Sequence, residues 1–309
     1  ELREAIMGGI GQINAESAAE VDQIISLAKD TGLMPSVALR INPDIAAGGH
    51  AKISTGGSDT KFGIPGAEAE AIYRRMTDSQ VIRPSGLAVH IGSQIMALAP
   101  FENAWINLLD LVEALRQDGM DVPALDLGGG LGVDYTTGAT ADLDGFGQLV
   151  TRLFGNRKLT LGFEPGRFIV AEAGALLTRV IYTKEGTDKT FIITDGAMND
   201  LIRPTLYDAF HRIESIAPTD DALVMSDIVG PVCETGDYLG LGRMMPVMHP
   251  GDVLAVMSAG AYGAVMRSSY NTRPPAAEIL VVDGEAHLVS KPQHVDDLIA
   301  LDVIPDILK

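Results

Sequence analysis

The sequence predicts an α/β plus β protein. A (β/α)8-type barrel, here incomplete with about five βα units, occupies residues 1–172, and a mainly β unit follows over residues 173–309. Three observations lead there. Short apolar runs alternate with amphipathic helical stretches through the first half, as parallel β/α units do. Each apolar run ends in polar residues or glycine, and in such a barrel that end is the active-site face. From about Ala175 the period changes to strands separated by turns.

Five strands are expected in the first unit: Gly9–Asn14, Ser36–Asn42, Ser85–Gly92, Ala124–Gly128 and Leu159–Glu164. Each is apolar enough to be buried on both faces. Helices are expected over Ser17–Lys29, with a Ser-x-x-Glu cap at Ser17 and Glu20, and over Ala67–Met76, Phe101–Asp118 and Leu143–Phe154. In the second unit the strands are Leu176–Thr183, Thr190–Thr194, Ala222–Val229, Val253–Met257 and Ala277–Val282. Lys184-Glu185-Gly186, Pro250-Gly251 and Asp283-Gly284 mark turns among them.

A closed barrel takes eight units in roughly 250 residues. The expectation is therefore that the barrel's first units lie upstream of Glu1, with an open five-stranded α/β sheet as the competing reading.

Composition narrows the function. Lys and Arg total 23 against 41 Asp and Glu, for a net charge of −18, and no basic stretch breaks that field. Nucleic-acid binding is disfavoured. No apolar run reaches the ~20 residues of a spanning helix. The one cysteine, Cys233, has no internal disulfide partner, and six scattered histidines form no zinc-ligand spacing. A cytoplasmic protein without a structural metal is expected.

Chemistry concentrates at the strand ends. Gly128-Gly129-Gly130-Leu131-Gly132 follows a strand, and successive glycines let backbone N–H groups approach a phosphate, although a tight βα turn uses the same residues. It is not the dinucleotide fingerprint, which needs glycine where Val133 stands, and the P-loop lysine is missing. Glu164-Pro165-Gly166-Arg167 offers a carboxylate for a protonated ring nitrogen and a glycine and guanidinium for anions, or else a surface turn. His90-Ile91-Gly92-Ser93-Gln94 ends another strand with an imidazole suited to ring stacking, acid–base work or a purely structural role.

In the second unit, Gly230-Pro231-Val232-Cys233-Glu234-Thr235-Gly236-Asp237 sets the thiol among carboxylates, which suits a proton donor better than a nucleophile. Pro204 is expected to break regular structure and leave Arg203 in a loop fit for bidentate carboxylate binding, with Tyr207 close by. Tyr262 lies between small residues that permit close backbone approach, for phosphate contact or for packing.

Taken in order, these segments resemble the diaminopimelate decarboxylases of the alanine-racemase-like class of pyridoxal-phosphate enzymes. The resemblance runs over essentially the whole chain. It also rests on Gly9-Ile10-Gly11-Gln12-Ile13-Asn14-Ala15-Glu16-Ser17, on His50-Ala51-Lys52-Ile53-Ser54-Thr55-Gly56 and on Lys61-Phe62-Gly63. It implies pyridoxal 5'-phosphate as cofactor. Gly129, Gly130, Gly166, Arg167 and Tyr262 would hold its phosphate with Ser93 nearby, Glu164 would pair with the pyridine nitrogen, and His90 would stack on the ring. Arg167, Arg203, Tyr207, Glu234 and Tyr262 would contact an amino-acid substrate. Cys233 would donate the proton, reaching the partner's site across a head-to-tail homodimer, and the product would be lysine.

One departure stands out. The family's Schiff-base lysine lies on the first barrel strand in a Tyr-x-Val-Lys-Ala-Asn type segment, and none of Lys29, Lys52, Lys61, Lys158, Lys184, Lys189, Lys291 and Lys309 has that setting. These residues alone are expected neither to anchor the cofactor covalently nor to close the barrel. Ornithine or arginine decarboxylase is the nearest rival, but Arg203 meets a substrate's distal carboxylate better than a simple ammonium. A catalytically silent binding homologue is the reading from a different class.

Overall fold

The computed structural model describes residues 1–45, 61–217 and 222–308, and the His50–Gly56 segment lies outside them. The chain forms two units, 1–134 with 140–168, and 135–139 with 169–309.

In the first unit, α1 (Leu2–Met7) leads into β1 (Ile13–Ala15), followed by α2 (Ala18–Thr31), β2 (Ser36–Asn42), β3 (Ile64–Pro65) and α3 (Gly66–Ser79). Then come β4 (Arg83–Val89), α4 (Ala99–Gln117), β5 (Ala124–Asp126), α5 (Leu143–Phe154), β6 (Thr160–Gly162) and the short α6 (Gly166–Val170). The strands form one sheet in the order β1-β2-β4-β5-β6, with β3 pairing to β2. All its pairings are parallel. Parallel pairing puts every strand's C-terminal end on the same side, and this is what gathers the site residues.

Each helix follows its sequence pattern. Ser17 caps α2 by accepting from the Glu20 N–H at 3.1 Å, while the Glu20 carboxylate accepts from the Glu16 N–H at 2.7 Å. Helix α4 buries Phe101, Ala104, Trp105, Leu108, Val112 and Leu115, one helical face. Trp105 meets Phe146 edge-on at 5.1 Å and Phe154 at 5.8 Å. Burying each such aromatic contributes about 1.5–3 kcal/mol.

Two expectations are corrected here. A sixth strand, β3, joins the sheet, too short to show as an apolar run. And β6 is not buried on both faces: none of its three residues is buried, because among the described residues it pairs only with β5.

The second unit contains β7 (Leu176–Glu185), β8 (Thr190–Thr194), α7 (Arg203–Tyr207), β9 (Ile213–Ser215), β10 (Leu223–Val229), β11 (Tyr238–Pro246) and β12 (Val253–Val256). The hairpin β13 (Glu278–Val282) and β14 (Glu285–Ser290) and the helix α8 (Val295–Ile299) complete it. Strands β7 to β12 make a six-stranded sheet in the order β11-β10-β8-β7-β12-β9. Its core includes Val180, Ile192, Leu201, Ile228, Leu239, Leu254 and Val256.

Pro204 does not leave Arg203 in a loop. It occupies the first turn of α7, where its missing N–H costs nothing, and Arg203 is buried. The expected turn at Lys184-Glu185-Gly186 starts later, since β7 runs through Glu185.

Candidate active site

Three strand ends of the first unit meet. His90 follows β4, Gly128–Gly130 follow β5 and Glu164 follows β6. The Gly129 N–H donates to His90 Nδ1 at 3.2 Å. A backbone amide only donates, so Nδ1 carries the lone pair and a neutral ring keeps its proton on Nε2. Burial, followed by the nearby Arg40 cation, lowers the His90 pKa below its ordinary 6.5. Glu164 Oε2 lies 3.9 Å from Nδ1, close to a neutral ring rather than ion-paired to it.

Burial raises the Glu164 pKa, and Asp126 adds to the shift both by its charge and by a hydrogen bond, while Arg40 opposes it. Arg40 is itself held by Glu16 at 2.7 Å. Beyond Glu164, the buried Arg167 donates from Nε and Nη2 to Ser93 Oγ at 3.2 and 3.0 Å.

The glycines lock these loops together. A Cβ on Gly129 would stand 2.0 Å from the Glu164 carbonyl oxygen, and one on Gly130 would stand 2.5 Å from the Gly92 carbonyl, at a φ of +110°. No side chain fits there without moving a strand end. Gly166 differs, for a Cβ there meets nothing within 4 Å, and its N–H donates to the Glu164 carbonyl at 2.8 Å.

The arrangement fits a phosphorylated pyridine. It joins a glycine cradle bare of side chains, a buried guanidinium beside a hydroxyl, a carboxylate of raised proton affinity and a neutral imidazole. Among the described residues no group of His, Cys, Asp and Glu is arranged to hold a metal.

The second unit carries the other predicted residues, Arg203 and Tyr207 on α7 itself. Arg203 Nη1 donates to His211 Nε2 at 2.7 Å, and His211 Nδ1 donates to the Met257 carbonyl at 2.8 Å, which assigns the tautomer. The guanidinium also lies 4.3 Å from the centre of the Tyr135 ring. Tyr207 ends the same helix, half-buried.

Cys233 and Glu234 are exposed in a turn clamped by the buried Asp237. The Asp237 carboxylate accepts from the Met198 N–H at 2.7 Å and the Val232 N–H at 2.6 Å. Tyr270 donates to Glu234, and that bond raises its pKa. A hollow of about 760 Å³ lies beside this pair, lined also by Asn199 and Ile202. Tyr262 stands in the loop after β12, 43 % exposed and at a φ of +57°.

Asp126, Tyr135, His211, Asn199 and Tyr270 of these clusters escaped sequence reasoning. Asp126 carried a usable signal, a carboxylate at a strand's C-terminal end just before the glycines. Tyr135, His211 and Asn199 sit in irregular segments that offered none. Among the described lysines, none ends a strand of the first sheet.

Comparison with known proteins agrees with this geometry. Residues 1–171 match the family of the pyridoxal-dependent decarboxylase, pyridoxal binding domain, which defines the class. The diaminopimelate decarboxylase of Zymomonas mobilis is 44 % identical over 300 residues, 96 % of this chain and 71 % of the relative. That of Pseudomonas aeruginosa is 45 % identical over 97 % of this chain and 72 % of its own length. The crystal structure of the Helicobacter pylori diaminopimelate decarboxylase complexed with L-lysine superposes with a TM-score of 0.93 at 36 % identity, covering 97 % of this chain and 75 % of that one. The chain belongs to the diaminopimelate decarboxylase family.

Proposed function

We propose that the chain carries the machinery for pyridoxal-phosphate-dependent decarboxylation of meso-2,6-diaminopimelate to L-lysine and CO2. The observation that carries this reading is the convergence of Glu164, His90, the Gly128–Gly130 cradle and the Arg167–Ser93 pair on one set of strand ends, within the residues that match the pyridoxal-binding domain. When bound, the cofactor supplies an electron-poor ring that accepts the electron pair left as the carboxylate departs.

The chain's residues do the rest. Gly129 and Gly130 present backbone to the phosphate, Gly166 and Arg167 with Ser93 add to its hold, and Tyr262 adds a hydroxyl. Glu164 would hold a proton at the ring nitrogen, and His90, neutral by its Gly129 contact, would face the ring without competing for that proton. Arg203 takes the substrate's distal carboxylate, with Tyr207 and Glu234 contacting its polar groups and Arg167 and Tyr262 contributing from the cofactor side. Cys233 gives its S–H proton to the α-carbon once CO2 has left, which balances the exchange of a carboxylate for hydrogen.

A homodimer in which Cys233 and Glu234 complete the partner's site belongs to the same reading, supported by the exposure of both side chains. A cytoplasmic location is supported by the single cysteine, which leaves no internal disulfide to form. Among the described residues no helix is long and apolar enough to cross a membrane.

The test is lysine formation from meso-diaminopimelate with added pyridoxal phosphate. It is run on the 309-residue chain, which has no lysine in the family's setting, and on the chain joined to the portion of the Zymomonas mobilis relative that it does not span. Lysine formation by the joined protein alone is the expected result. Decarboxylation of ornithine or arginine in its place would reassign the substrate, and cofactor binding with no decarboxylation would favour a silent homologue.

A further inference from the structure

Gln94 ends the His90–Gln94 segment in a backbone conformation that side chains rarely adopt, at a φ of +67°. Glycine is the ordinary residue at such a position, so a glutamine there calls for a contact that offsets the strain. That contact is with one backbone residue. Gln94 Oε1 accepts from the Val133 N–H at 3.2 Å, and Nε2 donates to the Val133 carbonyl. The polarity of the Val133 backbone orients the amide, and the side chain acts as a further peptide group.

This pairing extends a short ladder between two loops. The Ile95 N–H donates to the Gly130 carbonyl at 2.9 Å, the Gly132 N–H donates to the Ile95 carbonyl at 3.0 Å, and Ile95 pairs in parallel with Leu131. Holding the Gly130 carbonyl on Ile95 fixes the plane of the peptide that follows it. On the other side of Gln94, the neighbouring Ser93 Oγ accepts twice from Arg167. The register of β4 on β5 reaches only to Ala88 and Asp126. Past that point the Gln94 and Ile95 rungs, with the Gly129 contact to His90, set how the two loops lie.

We propose that Gln94 is a positioning residue for the cofactor's phosphate. Its amide holds the Ser93–Arg167 pair and the Gly130 loop at one spacing, so that both address the same phosphate group. The inference rests on the assignment of this cradle to that phosphate.

The experiment measures, by calorimetry, the dissociation constants of two probes for the 309-residue chain. The probes are pyridoxine 5'-phosphate and pyridoxine. Neither carries an aldehyde to react with lysines, and the two differ only in the phosphate. The unsubstituted chain is expected to prefer the phosphorylated probe. Gln94→Met keeps the length of the side chain but has neither the N–H donors nor the oxygen acceptor. In this variant the preference falls by about tenfold, the worth of one hydrogen bond to an anion, while binding of pyridoxine changes by less than about twofold.

Gln94→Gly is the second variant. Glycine suits the positive φ, so this chain loses the amide without backbone strain, and its preference falls in the same direction. Equal loss for both probes would overturn the proposal, since Gln94 would then only support the fold of its loop. Full preference in the variants would overturn it as well, and the glycine variant decides if the two disagree. If the unsubstituted chain shows no preference for the phosphorylated probe, the assignment of the cradle to a phosphate falls, and the role of Gln94 with it.

Discussion

His90 is set neutral by a single amide, and that choice leaves a mark on stability. Its pKa in the folded chain lies below the ordinary 6.5, first because burial penalises the cation. The unfolded chain then binds more protons than the folded one below about pH 6.5. The His90 contribution is present in full above that pH and is lost as the pH falls through the folded-state value. In His90→Gln this part of the slope disappears, so urea midpoints of wild type and variant converge on acidification. Glu164 acts in the opposite sense. Its raised pKa gives a contribution present at low pH and lost as pH rises through the folded value, and Glu164→Gln removes that loss.

Arg203 depends on a residue that carries no motif. His211 is fully buried, accepts from the guanidinium at Nε2 and donates from Nδ1 to the Met257 carbonyl. His211→Phe fills much of the same space but removes one hydrogen-bond acceptor of a buried guanidinium. A loss of about 2 kcal/mol in urea unfolding is expected, the usual worth of a hydrogen bond to a charged group. Arg203 itself was legible in the sequence, whereas its support was not, because the support comes from residues distant in the chain and invisible to local pattern.

At the scale of elements, the glycines divide into those that are locked and one that is open. Gly129→Ala forces a methyl group to within 2.0 Å of a carbonyl oxygen. It is expected to cost about 3 kcal/mol and to abolish measurable binding of pyridoxal phosphate in a fluorescence titration. Gly166→Ala meets only open space and should leave the unfolding free energy within about 0.5 kcal/mol of wild type in urea unfolding. Ser17→Ala, which removes the cap of α2, should cost about 1 kcal/mol.

Elements with an unbroken pattern were readable to the residue: β2 at Ser36–Asn42 and α5 at Leu143–Phe154 lie where their periodicity puts them. Strand β11 was missed because Gly240 and Gly242 punctuate it like a turn. The ladder there accommodates them with a register shift between Ser226 and Ile228 on the neighbouring strand. Helix α7 was missed because Pro204 was read as a breaker, when the first helical turn is where proline is tolerated. Strand-end logic named His90, Gly128–Gly130 and Glu164, which the structure brings together, but not Asp126, whose partners Asn14 and Gly128 only the fold shows.

For the whole molecule, the net charge of −18 opposes association of like chains, and salt screens that repulsion. Raising ionic strength from about 0.01 M to about 0.15 M shortens the screening distance from about 30 to 8 Å. Sedimentation equilibrium should then show stronger self-association. Weaker association at the higher salt would mean that attraction between opposite charges, rather than apolar contact, drives whatever association is seen.

The interlocked glycines also set a timetable. Each close approach joins residues far apart in sequence, Gly129 to Glu164, Gly128 to Val89 and Gly130 to Gly92, and no one of them forms a cradle alone. Non-local contacts are made late in folding, after the helices and local turns. Competence to bind a phosphate ligand should therefore arrive with the slowest refolding phase, well after the helical signal has recovered. The ligand site thus serves as a proofreader of the strand order, since a chain that pairs β4, β5 and β6 wrongly has nowhere to seat a phosphate.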